Sequence, residues 1–312
     1  MGIAVLSGMQ IEVTNQCNYR CVMCPFHGKS IPETRRAIGF MTLDRFDDAL
    51  TQFRNLGGEF VIPQGAGESF LHPDILHMVD LIKRKHRLKA GLNTNGSVLD
   101  ETLMKGLLKV GIDEFGFSID ANSRETFRKI TGADDLDTLE EKVRTFVAMR
   151  NSLKLKKPLI RVLLVDQSEN TNEVSDFISK WSGIVDETII QAERTGLGRT
   201  LKHGRSEPRR ACAHLFDTIF VEWNGNVVVC CEDWASHTVQ GNIFEDSMGT
   251  IWYSRSMRQF RKWQRKNDFS QPEICLNCEA WAGGNMTTRN EENLIVQETE
   301  LTRIYRKNRI VK

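Results

Sequence analysis

The residues best suited to chemistry in this 312-residue chain are its eight cysteines, and they fall into two groups. Cys17, Cys21 and Cys24 crowd one end; the next is Cys212, followed by Cys230, Cys231, Cys275 and Cys278. A Cys-x3-Cys-x2-Cys triplet can hold three corners of a cubane iron–sulfur cluster and leave the fourth iron open to a small chelating ligand. Zinc also accepts closely spaced thiolates, but it usually takes four ligands, and only His27 lies nearby in sequence. Cys212, Cys230 and the Cys275-x2-Cys278 pair offer four thiolates, a count that suits zinc and an iron–sulfur cluster equally.

Composition narrows the setting. Lys and Arg total 42 against 41 Asp and Glu, a formal charge of +1, so no long-range field draws nucleic acid or an anionic membrane. No apolar run approaches a membrane span, and the opening MGIAVLSGMQ lacks the flank and core of a signal peptide. Leu6 stands where a myristoylation signal needs Ser or Thr. The expectation is a cytoplasmic protein without nucleic-acid or membrane partners, in a compartment that favours metal ligation or catalysis over disulfides. Neither a phosphate-cradling G-x4-GK[ST] nor a strand-linked G-x-G-x2-G occurs.

The elements that must position the thiols follow from periodicity. Strands are expected at Met9–Val13, Phe60–Pro63, Lys89–Asn93, Glu114–Ile119, Leu159–Val165 and Glu187–Gln191. Helices are expected near Leu43–Leu56, Asp74–Lys85, Asp100–Val110, Leu139–Arg150 and Thr171–Trp181, with Thr42, Asp100 and Asn170 as caps. This alternation predicts an α/β fold, a partial (β/α)6 barrel over residues 1–200. The charged segment GLGRTLKHGRSEPRR marks a boundary near residue 200. Residues 201–285 then read as a small α+β unit: a hairpin from Thr218–Glu222 and Val227–Val229, and a helix over Thr250–Lys266. For the tail, 286–312, the sequence suggests only surface packing or disorder.

With the triplet placed after the first strand of such a barrel, the chain resembles the radical S-adenosylmethionine (SAM) superfamily. Gly65, Gly67 and Glu68 resemble the family's glycine–glycine–glutamate segment, which receives the SAM amino group, although Ala66 is interposed and Ser69 replaces the usual proline. Asn93, Asn95, Ser118 and Asp120 match segments that line the SAM pocket, and each lies at a strand end where a βα barrel carries its site. Plain turn formation or helix capping by Asp120 would also account for them. Met23 stands where many relatives carry an aromatic and can still pack against an adenine face. Around the second group, IFVEWNGNVVVCCEDW and ICLNC resemble the C-terminal SPASM or shorter twitch domain, which binds auxiliary [4Fe–4S] clusters.

The resemblance implies two [4Fe–4S] clusters and SAM as cofactors, with Cys17, Cys21 and Cys24 holding one cluster and Cys212, Cys230, Cys275 and Cys278 the other. It implies an oxidoreductase in which a 5′-deoxyadenosyl radical takes a hydrogen atom and the auxiliary cluster takes an electron. The substrate would be a carbohydrate-like small molecule or a peptide, and flavodoxin or ferredoxin the electron donor. Cys231 is then either a hydrogen-atom donor, which would make the enzyme an epimerase, or a small buried thiol; Glu232 and Asp233 are candidate bases. A non-catalytic, zinc-binding structural or assembly protein is the reading from outside the family.

Overall fold

The computed structural model describes residues 4–28, 36–195, 199–200, 208–284, 286–291 and 293–308. Much of the expected linker, including residues 201–207, lies outside the described residues. Strand β1 (Gly8–Ile11) leads through a long loop to helix α1 (Leu43–Asn55), where Thr42 accepts the Arg45 N–H and Phe46, Ala49, Leu50 and Phe53 are buried. Then come β2 (Phe60–Ile62), α2 (Ile75–Asp80), β3 (Lys89–Thr94), α3 (Glu101–Val110) and β4 (Glu114–Ser118). Asp100 caps α3, and Gly111 ends it in the left-handed conformation. Helices α4 (Arg124–Thr131) and α5 (Leu136–Ser152), strand β5 (Leu159–Asp166), helix α6 (Val174–Trp181) and strand β6 (Glu187–Ala192) follow.

Three local expectations are corrected. Helix α4, expected only as a helix near Ser123 that Asp120 could cap, is capped by Ser123 itself, which accepts the Thr126 N–H, and Gly132 is left-handed at its end. Asn170 caps nothing: its amide donates to the Asp120 and Val165 carbonyls, and its carbonyl oxygen accepts the Gln167 N–H, so it braces two strand ends. The single helix expected over Thr250–Lys266 is two helices, as described below.

After β6 come β7 (Arg194–Thr195) and β8 (Arg199–Thr200), helix α7 (His214–Asp217), and strands β9 (Thr218–Val221), β10 (Asn226–Val228) and β11 (Gly241–Asn242). Helices α8 (Met248–Trp252) and α9 (Arg255–Arg265) divide where Ser254 turns back to cap the second through the Met257 N–H. The C-terminal strands are β12 (Thr287–Glu291), β13 (Leu294–Glu298) and β14 (Thr302–Lys307).

Strands β1 to β6 pair in parallel and in sequence order, which makes the sheet a partial, unclosed (β/α)6 barrel. Strand β9 continues it by pairing in parallel with β1, Gly8 opposite Thr218, and β10 and β11 add antiparallel strands outside it. At the other edge β14 pairs antiparallel with β6, Thr302 opposite Gln191, and carries β13 and β12. Among the described tail residues, 287–291, 294–298 and 302–307 are therefore sheet. Val296 and Tyr305 are buried there, and the free edge of β6 is covered.

Alternation along β4 divides core from interior. Phe115 and Phe117 pack edge-on with each other at 5.1 Å and against Phe146 of α5. Between them Gly116 leaves room on the opposite face for Asn93, since a Cβ there would lie 2.1 Å from its Oδ1. Removing residues 286–312 should expose the β6 edge and lower the thermal midpoint by several degrees, with association visible by light scattering. A truncated chain that stays monomeric with an unchanged midpoint would contradict this role.

Candidate functional site

The loop after β1 that carries the first three cysteines is fastened at both ends. Asn15 is buried; its amide donates to Ala37 O at 2.8 Å, and its oxygen accepts the Gly39 N–H at 2.9 Å. Farther along, the N–H groups of Arg20 and Val22 donate to the carbonyls of Thr131 and Ile130, so the end of α4 is the seat of the loop. Gly28 donates to Cys24 O at 3.0 Å, and a Cβ there would approach the same oxygen to 2.7 Å, so this closure requires glycine.

Cys17, Cys21 and Cys24 line one cavity of about 330 Å3. Cys24 Sγ accepts the His27 backbone N–H at 3.2 Å, and Asn95 Nδ2 approaches Cys17 Sγ at 4.0 Å. Burial pushes the Cys17 and Cys21 thiols above their ordinary range, and neighbouring acidic groups reinforce it. The Cys17 and Cys21 thiolates become stable here only when a strong cation compensates them, as iron would.

All seven cofactor-contact candidates line the same cavity: Gly65, Gly67 and Glu68 beyond β2, Asn93 and Asn95 at the end of β3, and Ser118 and Asp120 at the end of β4. Gly67 must be small, because a Cβ would meet Gln16 O at 2.5 Å and Thr14 O at 2.6 Å. Glu68 is buried and already accepts three hydrogen bonds, from Phe70 N–H, Thr94 Oγ1 and Asn95 N–H, at 3.1, 2.8 and 2.7 Å. It splices the ends of β2 and β3 and keeps acceptor capacity for one further donor. Burial nonetheless holds its pKa above the ordinary value, against the pull of those bonds.

Asp120 is not the cap of α4; Ser123 is, and Glu173 accepts from Asn122 N–H, Ser123 N–H, Ser123 Oγ and Thr126 Oγ1. Asp120 instead sits in the left-handed region (φ 59°) and accepts the Val165 N–H at 2.8 Å. Burial drives its carboxyl to a pKa of about 6. Sequence reasoning missed Gln64, Gln191, Arg194 and Trp234 on the cavity wall. Gln191 and Arg194 stand at and just beyond the end of β6, so the strand-end rule that found the others would have found them too. The buried Trp234 Nε1 has no hydrogen-bond partner, a donor available to a bound molecule.

The second cysteine group is assembled from the segment just before α7, the end of the β10 hairpin and the 273–278 turn. Cys212, Cys230, Cys275 and Cys278 lie within electrostatic reach of one another. Burial and this mutual repulsion push Cys212 and Cys275 up to about 12 and Cys278 up to about 11. The Glu232 and Ala280 N–H groups donate to Cys230 Sγ and Cys278 Sγ at 3.5 and 3.3 Å. Arg209 holds the turn through the Cys275 and Leu276 carbonyls. Among the described residues no group of three or more His, Cys, Asp or Glu converges tightly enough to hold a single metal ion. A cubane does not need that convergence, because each thiolate binds a different iron.

The three catalytic candidates separate. Glu232 lines the large cavity and pairs with Arg194 Nη1 at 2.7 Å. Cys231 lies off that cavity: its free thiol is a hydrogen-bonding neighbour of Cys230, and it lines a small space of about 40 Å3 with Glu12, Arg36 and Asp233. Asp233 accepts from His237 N–H, Thr238 N–H and Thr238 Oγ1, which makes it the clasp of its own turn.

One half-buried cation joins the two regions. Arg36 forms a bidentate pair with Glu12 (2.7 and 3.0 Å), reaches Glu222 at 3.3 Å and donates from Nε to Trp234 O at 3.1 Å. Glu12 also accepts the Ala66 N–H at 2.8 Å, within the glycine turn of the large cavity. The guanidinium stacks 5.0 Å from the Phe26 ring, next to the first cysteines.

Known proteins match both regions. The sequence profile of the Radical SAM superfamily matches residues 11–155, and that of an iron–sulfur cluster-binding domain, SPASM, matches residues 212–279. The chain is 26% identical over 306 residues, 81% of this chain and 82% of the relative, to the tungsten-containing aldehyde ferredoxin oxidoreductase cofactor-modifying protein of Pyrococcus furiosus. It is 24% identical over 294 residues, 92% and 96% of the two chains, to an S-adenosyl-L-methionine-dependent 2-deoxy-scyllo-inosamine dehydrogenase of Niallia circulans. The crystal structure of BtrN in complex with AdoMet and 2-DOIA shares the fold, with a TM-score of 0.59 and 21% identity over 89% of this chain and 94% of that one.

Two predictions follow from these charges. Folding raises the Asp120 pKa from about 3.9 to about 6, so Asp120 costs stability as pH rises through this window and the full penalty applies above it. Asp120→Asn keeps the acceptor and tolerates the left-handed backbone. It should stabilise the metal-free chain by about 2–3 kcal/mol at pH 7.5, with the gain gone by about pH 4, in urea titrations at both values. Arg36→Met should cost about 3 kcal/mol by leaving Glu12 and Glu222 uncompensated, and adding Glu12→Gln should restore part of that loss. Additive losses in that cycle would deny the pairing.

Proposed function

Because the chain belongs to the radical SAM superfamily, with an iron–sulfur cluster-binding domain toward its C-terminus, we propose that it is an oxidoreductase removing two electrons from a small, carbohydrate-like molecule. In this reading residues 1–200 form the barrel unit and 201–285 the auxiliary unit, and the protein works in the cytoplasm with flavodoxin or ferredoxin as electron donor. Cys17, Cys21 and Cys24 hold one [4Fe–4S] cluster and leave an iron for SAM. Cys212, Cys230, Cys275 and Cys278 hold a second and fill its coordination. When bound, these groups and SAM supply hydrogen-atom abstraction and a place for the released electron.

The chain's own residues bind, orient and move a proton. The Gly65–Glu68 turn and the remaining acceptor capacity of Glu68 receive the SAM amino group, while Asn93, Asn95, Ser118 and Asp120 form the adjoining wall. Glu232, oriented by Arg194, takes the hydroxyl proton as the attacked carbon becomes a carbonyl. The observation that carries oxidation over epimerisation is the placement of Glu232 on the large cavity and of Cys231 off it. A thiol directed at Cys230 is poorly placed to return a hydrogen atom to a substrate beside the first cysteines. The relative whose name is a SAM-dependent dehydrogenase of an aminocyclitol, matched along 92% of this chain, supports the same class of substrate.

Anaerobically reconstituted protein should contain about eight irons and eight sulfides, and Cys17→Ala and Cys275→Ala should each lose about half. Zinc without iron would replace this reading with a structural one. Incubated with SAM, reductant and an aminocyclitol alcohol in deuterated water, the enzyme should yield a ketone and 5′-deoxyadenosine. Glu232→Gln should slow ketone formation at least about 100-fold at unchanged iron content, and Cys231→Ala should keep turnover within about threefold. A product with solvent deuterium at the attacked carbon, and loss of turnover in Cys231→Ala, would assign epimerisation instead.

A further inference from the structure

The large cavity has a flank that the cofactor-contact candidates leave over. Those candidates stand beyond β2, β3 and β4, whereas Val165 of β5, Gln191 of β6 and Glu232 beyond β10 line the same space from other elements. Val165 and Gln191 are register partners on adjacent parallel strands, so their side chains emerge side by side on one face. Gln191 also lies opposite Thr302 of β14, so its backbone is held from both edges.

Two amides on this cavity have hydrogen-bonding capacity to spare. Gln64, just beyond β2, accepts the Asn93 N–H through Oε1 at 3.2 Å. That bond fixes which way round the amide lies, and its Nε2 hydrogens have no partner among the described residues. Gln191 makes no side-chain hydrogen bond to the described residues, so its amide offers donor and acceptor together. Both groups are neutral. The charged lining residues are three carboxylates, Glu68, Asp120 and Glu232, against one described cation, Arg194, which is already paired with Glu232 at 2.7 Å.

This balance discriminates between ring substituents. A hydroxyl donates and accepts through one atom, so adjacent ring hydroxyls can engage both ends of a primary amide. An ammonium meets a cavity in which acids outnumber bases. A phosphate or carboxylate would leave water for a wall with no unpaired cation among the described residues and with like charge close by, which is costly.

We propose that Gln64 and Gln191 form a specificity wall that admits a ring bearing hydroxyl or amino groups and rejects the same ring carrying a phosphate or carboxylate. The inference rests on the small-molecule reading above and narrows its substrate class. Gln191 is the discriminating side chain, because its whole amide is uncommitted, whereas Gln64 is half engaged by the end of β3.

The test uses the iron-loaded full-length protein with SAM and without reductant, so that ligands bind but do not react. Isothermal titration compares myo-inositol with myo-inositol 1-phosphate, glucose with glucuronate, and glucosamine with glucosamine 6-phosphate. At least one parent ring should bind, and its anionic counterpart at least about tenfold more weakly at low salt. Gln191→Lys should move that ratio at least about tenfold toward the anion, and Gln191→Leu should weaken the parent ring about tenfold with no gain for the anion. Circular dichroism and iron content should match the unmodified protein in both variants. Binding of none of the parent rings, tighter binding of the anions, or an unmoved ratio in folded Gln191→Lys would overturn the proposal. Should Gln191→Lys not fold, undiminished binding by Gln191→Leu would overturn it equally. With reductant added, a parent ring that binds and yields no ketone would remove the oxidative reading and keep the wall; a ketone formed preferentially from the phosphorylated ring would do the reverse.

Discussion

The arrangement depends on a half-buried positive charge enclosed by acids. Arg36 has Glu12 on one side, Glu222 on another and the Trp234 carbonyl on a third. A guanidinium suits that place because its planar fork serves several acceptors at once, and burying it unpaired would be prohibitive. Glu12 passes the constraint to the Ala66 amide in the glycine turn, and Trp234 passes it to the wall shared by both cavities. The two cysteine groups, separated by almost 190 residues of sequence, are registered through this one side chain and the sheet beneath it.

The thiols impose a complementary demand. Cys17 and Cys21 in one group and Cys212 and Cys275 in the other are desolvated enough that their pKa values rise, so the folded chain stores a cost that binding a cation relieves. Backbone N–H groups aimed at Cys24, Cys230 and Cys278 already favour negative sulfur. Hydrogen bonds of this kind are a principal means by which a protein adjusts an iron–sulfur potential. Arg209, tied to the turn that carries Cys275 and Cys278, adds a nearby positive charge to the second group alone.

Much of this was legible in the sequence because covalent spacing and strand ends do not depend on packing. The triplet, the four later thiols and the cavity-lining residues at the ends of β2, β3 and β4 could each be placed from pattern. What escaped depends on contacts between distant segments. Arg36 lies in an undistinguished stretch and acquires meaning only when Glu12 and Glu222 arrive from either end of the chain. Helix α4 is short and mostly polar, so its role as the seat of the cysteine loop is invisible until Arg20 and Val22 meet its last carbonyls. The tail reads as polar because its strands form a narrow antiparallel ribbon at the sheet edge, with few positions fully buried. Cys231 and Asp233 are sequence neighbours of Glu232, yet the tight turn after β10 sends the three side chains to different places.

The parallel pairing of β1 with β9 sets the order in which this protein can be made. A ribosome delivers Gly8 early and Thr218 only after some 200 further residues, so the first strand waits with one flank unpaired through most of synthesis. During that interval the loop bearing Cys17, Cys21 and Cys24 can already rest on α4, while the Glu12–Arg36 pair still lacks Glu222. The N-terminal thiols thus lie beside an open sheet edge until that strand arrives. Arrival of β9 closes that edge, and the second group of thiols is complete only when Cys275 and Cys278 follow.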